Sequence, residues 1–207
     1  MKMRHPTYVF DEWAENGKDI GMEKGHAIPV DEMINYALKE RSNIGKKFSF
    51  LDLGCGSGWV VRKVATQDLC IKAVGIDGAA QMIANAKLRG SDEEYIHADI
   101  NSLNSEYKYD LIHSMEVLYY LEDPANIIKR ISDSWLNKNG RLIVGIDLYY
   151  ENTDSHSWQE KVGTPMLMLK KSGWVKIFES AGLNEVKAWH SNKYDGWEGT
   201  LVLTGIK

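Results

Sequence analysis

The sequence predicts an α/β fold: a mostly parallel sheet covered by helices on both faces, with one reversed strand near the C-terminus. Three observations carry it. From Phe48 onward short apolar runs alternate with amphipathic stretches, a glycine-rich turn joins the first run to the helix after it, and only a few residues separate the last two runs. Alternation of this kind builds parallel strands joined by crossover helices. So short a final connection forces an antiparallel pair.

Ahead of the alternation, residues 29–41 read as a helix, because Val30, Met33, Ile34, Ala37 and Leu38 recur on one face at 3.6-residue spacing. Pro29 suits a first helical position, Asp31 and Glu32 favour the positive end of the dipole, and Gly45 follows the end. Residues 48–53 form the first expected strand, and Val60, Val61, Val64 and Ala65 the next helical face. A second strand is expected over 71–77, then a helix carrying Met82, Ile83 and Ala86. Strands over 94–97 and 109–114 follow, then a helix marked by Ile127, Ile128, Ile131 and Trp135, and a fifth strand over 141–148. Right-handed crossovers put all these strand C-termini along one edge, where ligands bind. In the tail, Ser172 reads as the cap of a helix bearing Trp174, Ile177, Phe178 and Ala181, with Gly182 as its stop. Strands over 184–190 and 199–206 close the sheet, with Asp195-Gly196 as a turn signal between them.

The 207 residues suit one domain, 1–207, in which 1–46 is a helical lid region and 47–207 the core. Hydrophobic residues at 43% and charged residues at 26% are ordinary for a globular chain. With 25 basic against 29 acidic residues and no long basic run, nucleic acid is not an expected partner. Cys55 and Cys70 cannot build a disulfide framework, which fits a reducing compartment. No stretch approaches the roughly 18 to 20 apolar residues of a bilayer span, and residues 1–10 lack the apolar run of a signal peptide. A soluble, cytoplasmic protein with no membrane partner is expected.

The most informative segment is Leu51-Asp52-Leu53-Gly54-Cys55-Gly56-Ser57-Gly58-Trp59. Glycines let the backbone turn sharply and approach a ligand closely, and the following helix aims free N–H groups into the same space. A dinucleotide fingerprint, G-x-G-x-x-G, would place its third glycine at the position of Trp59. That glycine serves close helix–strand packing, and an indole is the wrong filler. A nicotinamide-dependent oxidoreductase is therefore the disfavoured alternative.

The observed D-x-G-x-G-x-G spacing resembles the first motif of class I, Rossmann-like S-adenosylmethionine-dependent methyltransferases of the small-molecule type. The resemblance runs from about Phe48 to the end of the chain. It implies a three-layer sandwich with a seven-stranded sheet and S-adenosylmethionine as cofactor, leaving S-adenosylhomocysteine as by-product. It implies that Asp52, Gly54, Cys55, Gly56 and Gly58 meet the cofactor's amino-acid end, and that Asp77 and Gly78 meet its ribose. A carboxylate there accepts from both ribose hydroxyls and repels a 2′-phosphate. Met82, Asp99 and Ile100 fall to the adenine, and Ser114 and Met115 to the methionine half. Taken singly, Asp77 and Asp99 also read as helix caps or turn starts. The chain departs from the N-P-P-[YF] pattern after the fourth strand, having Ser114-Met115-Glu116-Val117 instead. That departure points away from the adenine- and amide-methylating branches.

Methyl transfer from a sulfonium needs alignment and dryness more than a catalytic dyad. No catalytic residue is singled out, and no metal site is expected. Residues 8–29, with Trp13, Met22 and His26, would form a lid. Glu116, Tyr119 and Tyr120 follow the fourth strand, and a long loop after the fifth carries Tyr149, Tyr150, His156 and Trp158. Trp13, His26, Glu116, Tyr119, His156 and Trp158 are thus the candidates for facing a small-molecule acceptor. Each also has a bland reading as packing, capping or exposed loop. A non-catalytic module that only binds the cofactor is the third alternative.

Overall fold

The structure, a computed structural model, describes residues 3–207. Two helices, α1 (Pro6–Glu15) and α2 (Asp19–Ile44), precede β1 (Phe48–Leu53), α3 (Trp59–Ala65), β2 (Cys70–Asp77), α4 (Ala80–Arg89) and β3 (Glu94–His97). Then come β4 (Tyr109–Met115), α5 (Pro124–Arg130), β5 (Leu136–Ile146), α6 (Trp158–Val162), α7 (Lys171–Ser180), β6 (Asn184–Ser191) and β7 (Thr200–Ile206). The strands make one seven-stranded sheet in the order β3-β2-β1-β4-β5-β7-β6. β7 runs antiparallel to both neighbours, β5 and β6. The expected Rossmann-like architecture, with its single reversed strand, is what the chain forms.

Alternation along β1 divides the core. Phe48 and Phe50 pack with Val30, Met33, Ile34 and Ala37 of α2 and Val60, Val61 and Val64 of α3. Leu51 and Leu53 turn to the opposite face, which holds Trp135, Trp174 and Phe178. Strand order reverses at β1, with β2 on one side and β4 on the other. Crevices in open α/β sheets form at that point.

Several boundaries differ from the sequence expectation. Pro29 does not start a helix; it lies inside α2, which begins at Asp19. Helix α1 carries no side-chain cap, and only Val9 and Ala14 are buried. Strand β5 starts at Leu136, five residues early, and ends at Ile146. Lys170, not Ser172, stands at the cap of α7 and makes no side-chain cap bond. Gly182 does follow that helix, in the left-handed conformation at φ +80°.

Helix α2 is anchored to the sheet by charge as well as packing. Arg141 on β5, 4% exposed, donates Nε to Glu40 Oε2 at 2.7 Å and one guanidinium nitrogen to Glu40 Oε1 at 2.8 Å. Its other terminal nitrogen reaches Thr204 Oγ1 on β7 at 2.8 Å. Bidentate pairing satisfies the buried guanidinium, and removing one partner leaves the other charge stranded. Glu40→Ala is therefore expected to destabilise the fold by about 2 to 3 kcal/mol, below the roughly 3 to 5 kcal/mol of a fully buried pair because Glu40 is partly exposed. Urea denaturation of the variant against the wild type measures this.

Candidate functional site

At the C-terminal end of β1 the chain turns through Gly54 (φ +72°) and Gly56 (φ +51°), both left-handed and strained for any residue with a Cβ. Gly54 and Cys55 donate their N–H groups to the Ile76 carbonyl at 2.7 and 3.0 Å, locking the turn to β2. A Cβ at Gly54 would lie 2.1 Å from Val117 Cγ2, so this glycine makes room for protein. A Cβ at Gly56 would meet nothing within 4 Å but Met82 Sδ at 3.9 Å. Gly56 faces open cleft.

The Asp77 carboxylate spans this turn. Oδ2 accepts the Gly56 N–H at 2.9 Å, and Oδ1 accepts the Ala79 N–H at 2.8 Å at the start of α4. Burial pushes its pKa up to about 6, although the two backbone donors act in the other direction. Each oxygen keeps a further lone pair with which to meet a ligand.

One cleft runs along this sheet edge. From the core it is lined by Asp52, Gly54, Cys55, Gly56, Asp77, Gly78, Met82, Asp99, Ile100, Met115 and Glu116. From above, α1 and α2 contribute Thr7's neighbourhood, Phe10, Met22 and His26. Most of the expected positions therefore share one cavity. Six do not line it. Gly58 instead leaves space for the Tyr95 ring, 2.4 Å from where its Cβ would be. Ser114 is fully buried and donates Oγ to the Leu53 carbonyl at 2.9 Å. Trp13 meets Phe10 edge-on at 5.4 Å. Tyr119 lies behind Glu116. His156 bonds the Tyr150 carbonyl at 2.9 Å, and Trp158 stacks on Trp197 at 6.2 Å. Contacts within the long loop hold His156, and the β6–β7 connection holds Trp158, away from the cleft.

Two features went unread in the sequence. Phe10 enters the cleft from α1, a helix that begins without a side-chain cap. His113 on β4 is buried and binds Asp52 Oδ1 through Nδ1 at 2.7 Å. A histidine inside an apolar strand, in parallel register with Asp52, was the available signal.

Beyond Met115 the cleft becomes acidic. Glu116, in the left-handed conformation at φ +59°, accepts the Tyr119 hydroxyl at 2.7 Å and the Asp147 N–H. Burial, then the nearby Asp147, pushes the Glu116 carboxyl well above its usual range. Burial raises Asp147 to about 6. His26 Nε2 lies 3.8 Å from Asp147 Oδ2, and burial lowers the imidazole, favouring its neutral form.

The raised acids fix the sign of a pH effect. An aspartate titrates near 3.9 when unfolded, so between about pH 4 and 6 the folded chain holds protons that the unfolded chain releases. Stability is then lost as pH rises through that window. His26 acts oppositely, but three carboxyls outweigh one imidazole. The ligand-free protein is expected to melt higher at pH 5 than at pH 7.5, and Asp147→Asn to flatten the difference, as read by calorimetric melting.

The family model for a methyltransferase domain matches residues 51–154, half of the chain. Pavine N-methyltransferase of Thalictrum flavum subsp. glaucum is 25% identical over 82% of this chain and 51% of its own length. Malonyl-[acyl-carrier protein] O-methyltransferase of Halalkalibacterium halodurans is 29% identical over 56% of this chain and 46% of its own. The chain thus spans about half the length of the curated relatives it matches. Among solved structures, a chain from the complex between the Haloferax volcanii Trm112 methyltransferase activator and a methyltransferase is 26% identical. It covers 99% of both chains with a TM-score of 0.80. Magnesium protoporphyrin IX methyltransferase from Synechocystis PCC 6803, solved with bound S-adenosylhomocysteine, shares the fold at 18% identity. Its TM-score is 0.68 over 88% of this chain and 83% of that one.

Proposed function

The chain belongs to the methyltransferase-domain family; from that premise we propose that it is an S-adenosylmethionine-dependent methyltransferase that transfers the methyl group, in line, to a small-molecule acceptor held beneath α1 and α2. One observation carries this reading. The glycine turn, the acids at two strand ends and the helices α1 and α2 line a single cleft.

The bound cofactor supplies an already activated methyl group. The chain's own residues would orient it. Asp77 would add ribose hydroxyls to the backbone N–H groups it already accepts, and Asp99, at the exposed rim, would accept from the adenine amino group. Met82 and Ile100 would flank the ring. Gly54, Cys55 and Gly56 would carry the amino-acid end, where Asp52, held by His113, supplies a fixed negative charge for an ammonium. Phe10, Met22 and Val117 exclude water from the reacting centre, which strengthens every electrostatic contact there. A cytoplasmic location is part of the proposal; among the described residues no helix is long and apolar enough to cross a membrane.

A second reading has the chain serving as the catalytic subunit beside an activator protein. The full-length likeness to a chain of the Haloferax volcanii complex favours it. The chain expressed alone distinguishes the two. Stable, monodisperse protein that methylates a metabolite-like acceptor supports the first reading, and activity that appears only on adding a partner supports the second.

Titration calorimetry with S-adenosylhomocysteine tests the cofactor assignment. One-to-one binding is expected, with NADH giving no heat. Asp77→Ala should weaken binding by about 10- to 100-fold, as loss of charge-assisted hydrogen bonds implies. Unaltered affinity in that variant would remove Asp77 from the site.

A further inference from the structure

Glu116 and His26 line the far end of the cleft and Asp147 lies buried against them, so that three proton-accepting groups have their nearest ligand atoms all within 4.8 Å of one another. Among the described residues no lysine or arginine forms an ion pair with either carboxyl. Asp147 is 4% exposed, and its Oδ1 has no hydrogen-bond partner. Two adjacent carboxyls in a desolvated place are held in their charged form only by a counter-charge, and among the described residues no side-chain cation supplies one. Aromatic surface stands beside them. Phe10 meets Tyr120 edge-on at 5.2 Å, and Tyr120 lies 4.4 Å from Tyr119, whose hydroxyl is held by Glu116.

Acids framed by aromatic rings fit an organic ammonium. The carboxyls neutralise the charge, and the rings accept its alkyl and N–H edges through cation–π contact. Resting on the assignment of this cleft to methyl transfer, we propose that the acceptor is an amine, its ammonium received by Glu116 and Asp147 and deprotonated by His26. The spacing suits it. With all three atoms within 4.8 Å of one another, some point lies within about 2.8 Å of each, the length of a charge-assisted N–H···O bond.

The chemistry requires such a base. An alkylammonium has no lone pair and cannot attack. It gives one proton to His26, and the resulting imidazolium is stabilised by Asp147, 3.8 Å away. The freed nitrogen lone pair forms the bond to the methyl carbon as the carbon–sulfur bond breaks, its electron pair staying on sulfur. The products are an N-methylammonium and the neutral thioether S-adenosylhomocysteine.

Matched probes that differ only in nitrogen or oxygen test this: phenethylamine against 2-phenylethanol, and tryptamine against tryptophol. Each is titrated into protein saturated with S-adenosylhomocysteine, and transfer is followed with methyl-labelled S-adenosylmethionine. The amines are expected to bind at least tenfold more tightly than their alcohols and to be the labelled members. Glu116→Gln should erase the binding difference. His26→Gln should lower kcat at least tenfold while changing amine affinity little. Equal binding of amine and alcohol, or binding of neither, overturns the amine assignment alone if S-adenosylhomocysteine still binds. No binding of S-adenosylhomocysteine to the wild type overturns the cofactor assignment and this inference with it. Transfer that requires added MgCl2 or CaCl2 and is abolished by EDTA overturns it in favour of a metal ion.

Discussion

The site rests on the reach of one carboxylate. Asp77 accepts one N–H from the turn after β1 and another from the entry to α4, so two loops that close separate crossovers are held as one rim. Without it, Gly56 would have a free donor in a left-handed bend, and the backbone would lose the constraint that fixes its curvature. The cost is a buried acid with a raised pKa. A structural tie and a ligand contact therefore draw on the same four lone pairs.

The cleft is asymmetric in charge. At the turn, Asp52 has a fixed partner in His113. At the opposite end, Glu116 leans on neutral donors, a tyrosine hydroxyl and a backbone N–H. Neutral donors satisfy geometry without cancelling charge. One end thus has its carboxylate tied to a buried imidazole, whereas the other has only neutral donors and gains its balance from whatever enters.

The parallel core was legible because its strands are short, apolar and bounded by turn residues. β1 and β3 fall where the apolar runs place them. The start of β5 was hidden because Asn137, Lys138, Asn139 and Gly140 are polar or turn-forming, yet Leu136 pairs with Tyr109 across an irregularity in register. Pro29 misled because proline favours first turns, while here it lies within a longer helix. On the cofactor side, residues at strand ends are fixed by topology, so the family resemblance could assign Asp77, Asp99 and Met115, and all three line the cleft. On the acceptor side, position depends on how helices and loops fold over the edge. That is why His26 and Glu116 reach the cleft whereas His156 and Trp158 pack elsewhere.

Pro29 also divides α2 mechanically. A proline has no N–H to give the carbonyl four residues earlier, so the helical ladder lacks one rung at Gly25, beside His26. On the C-terminal side Val30, Met33 and Ile34 are fully buried, and Glu40 is clamped to Arg141. The rod is stiff where it meets the sheet and softest where it roofs the ligand, which makes that missing rung the place where bending costs least when molecules pass in and out.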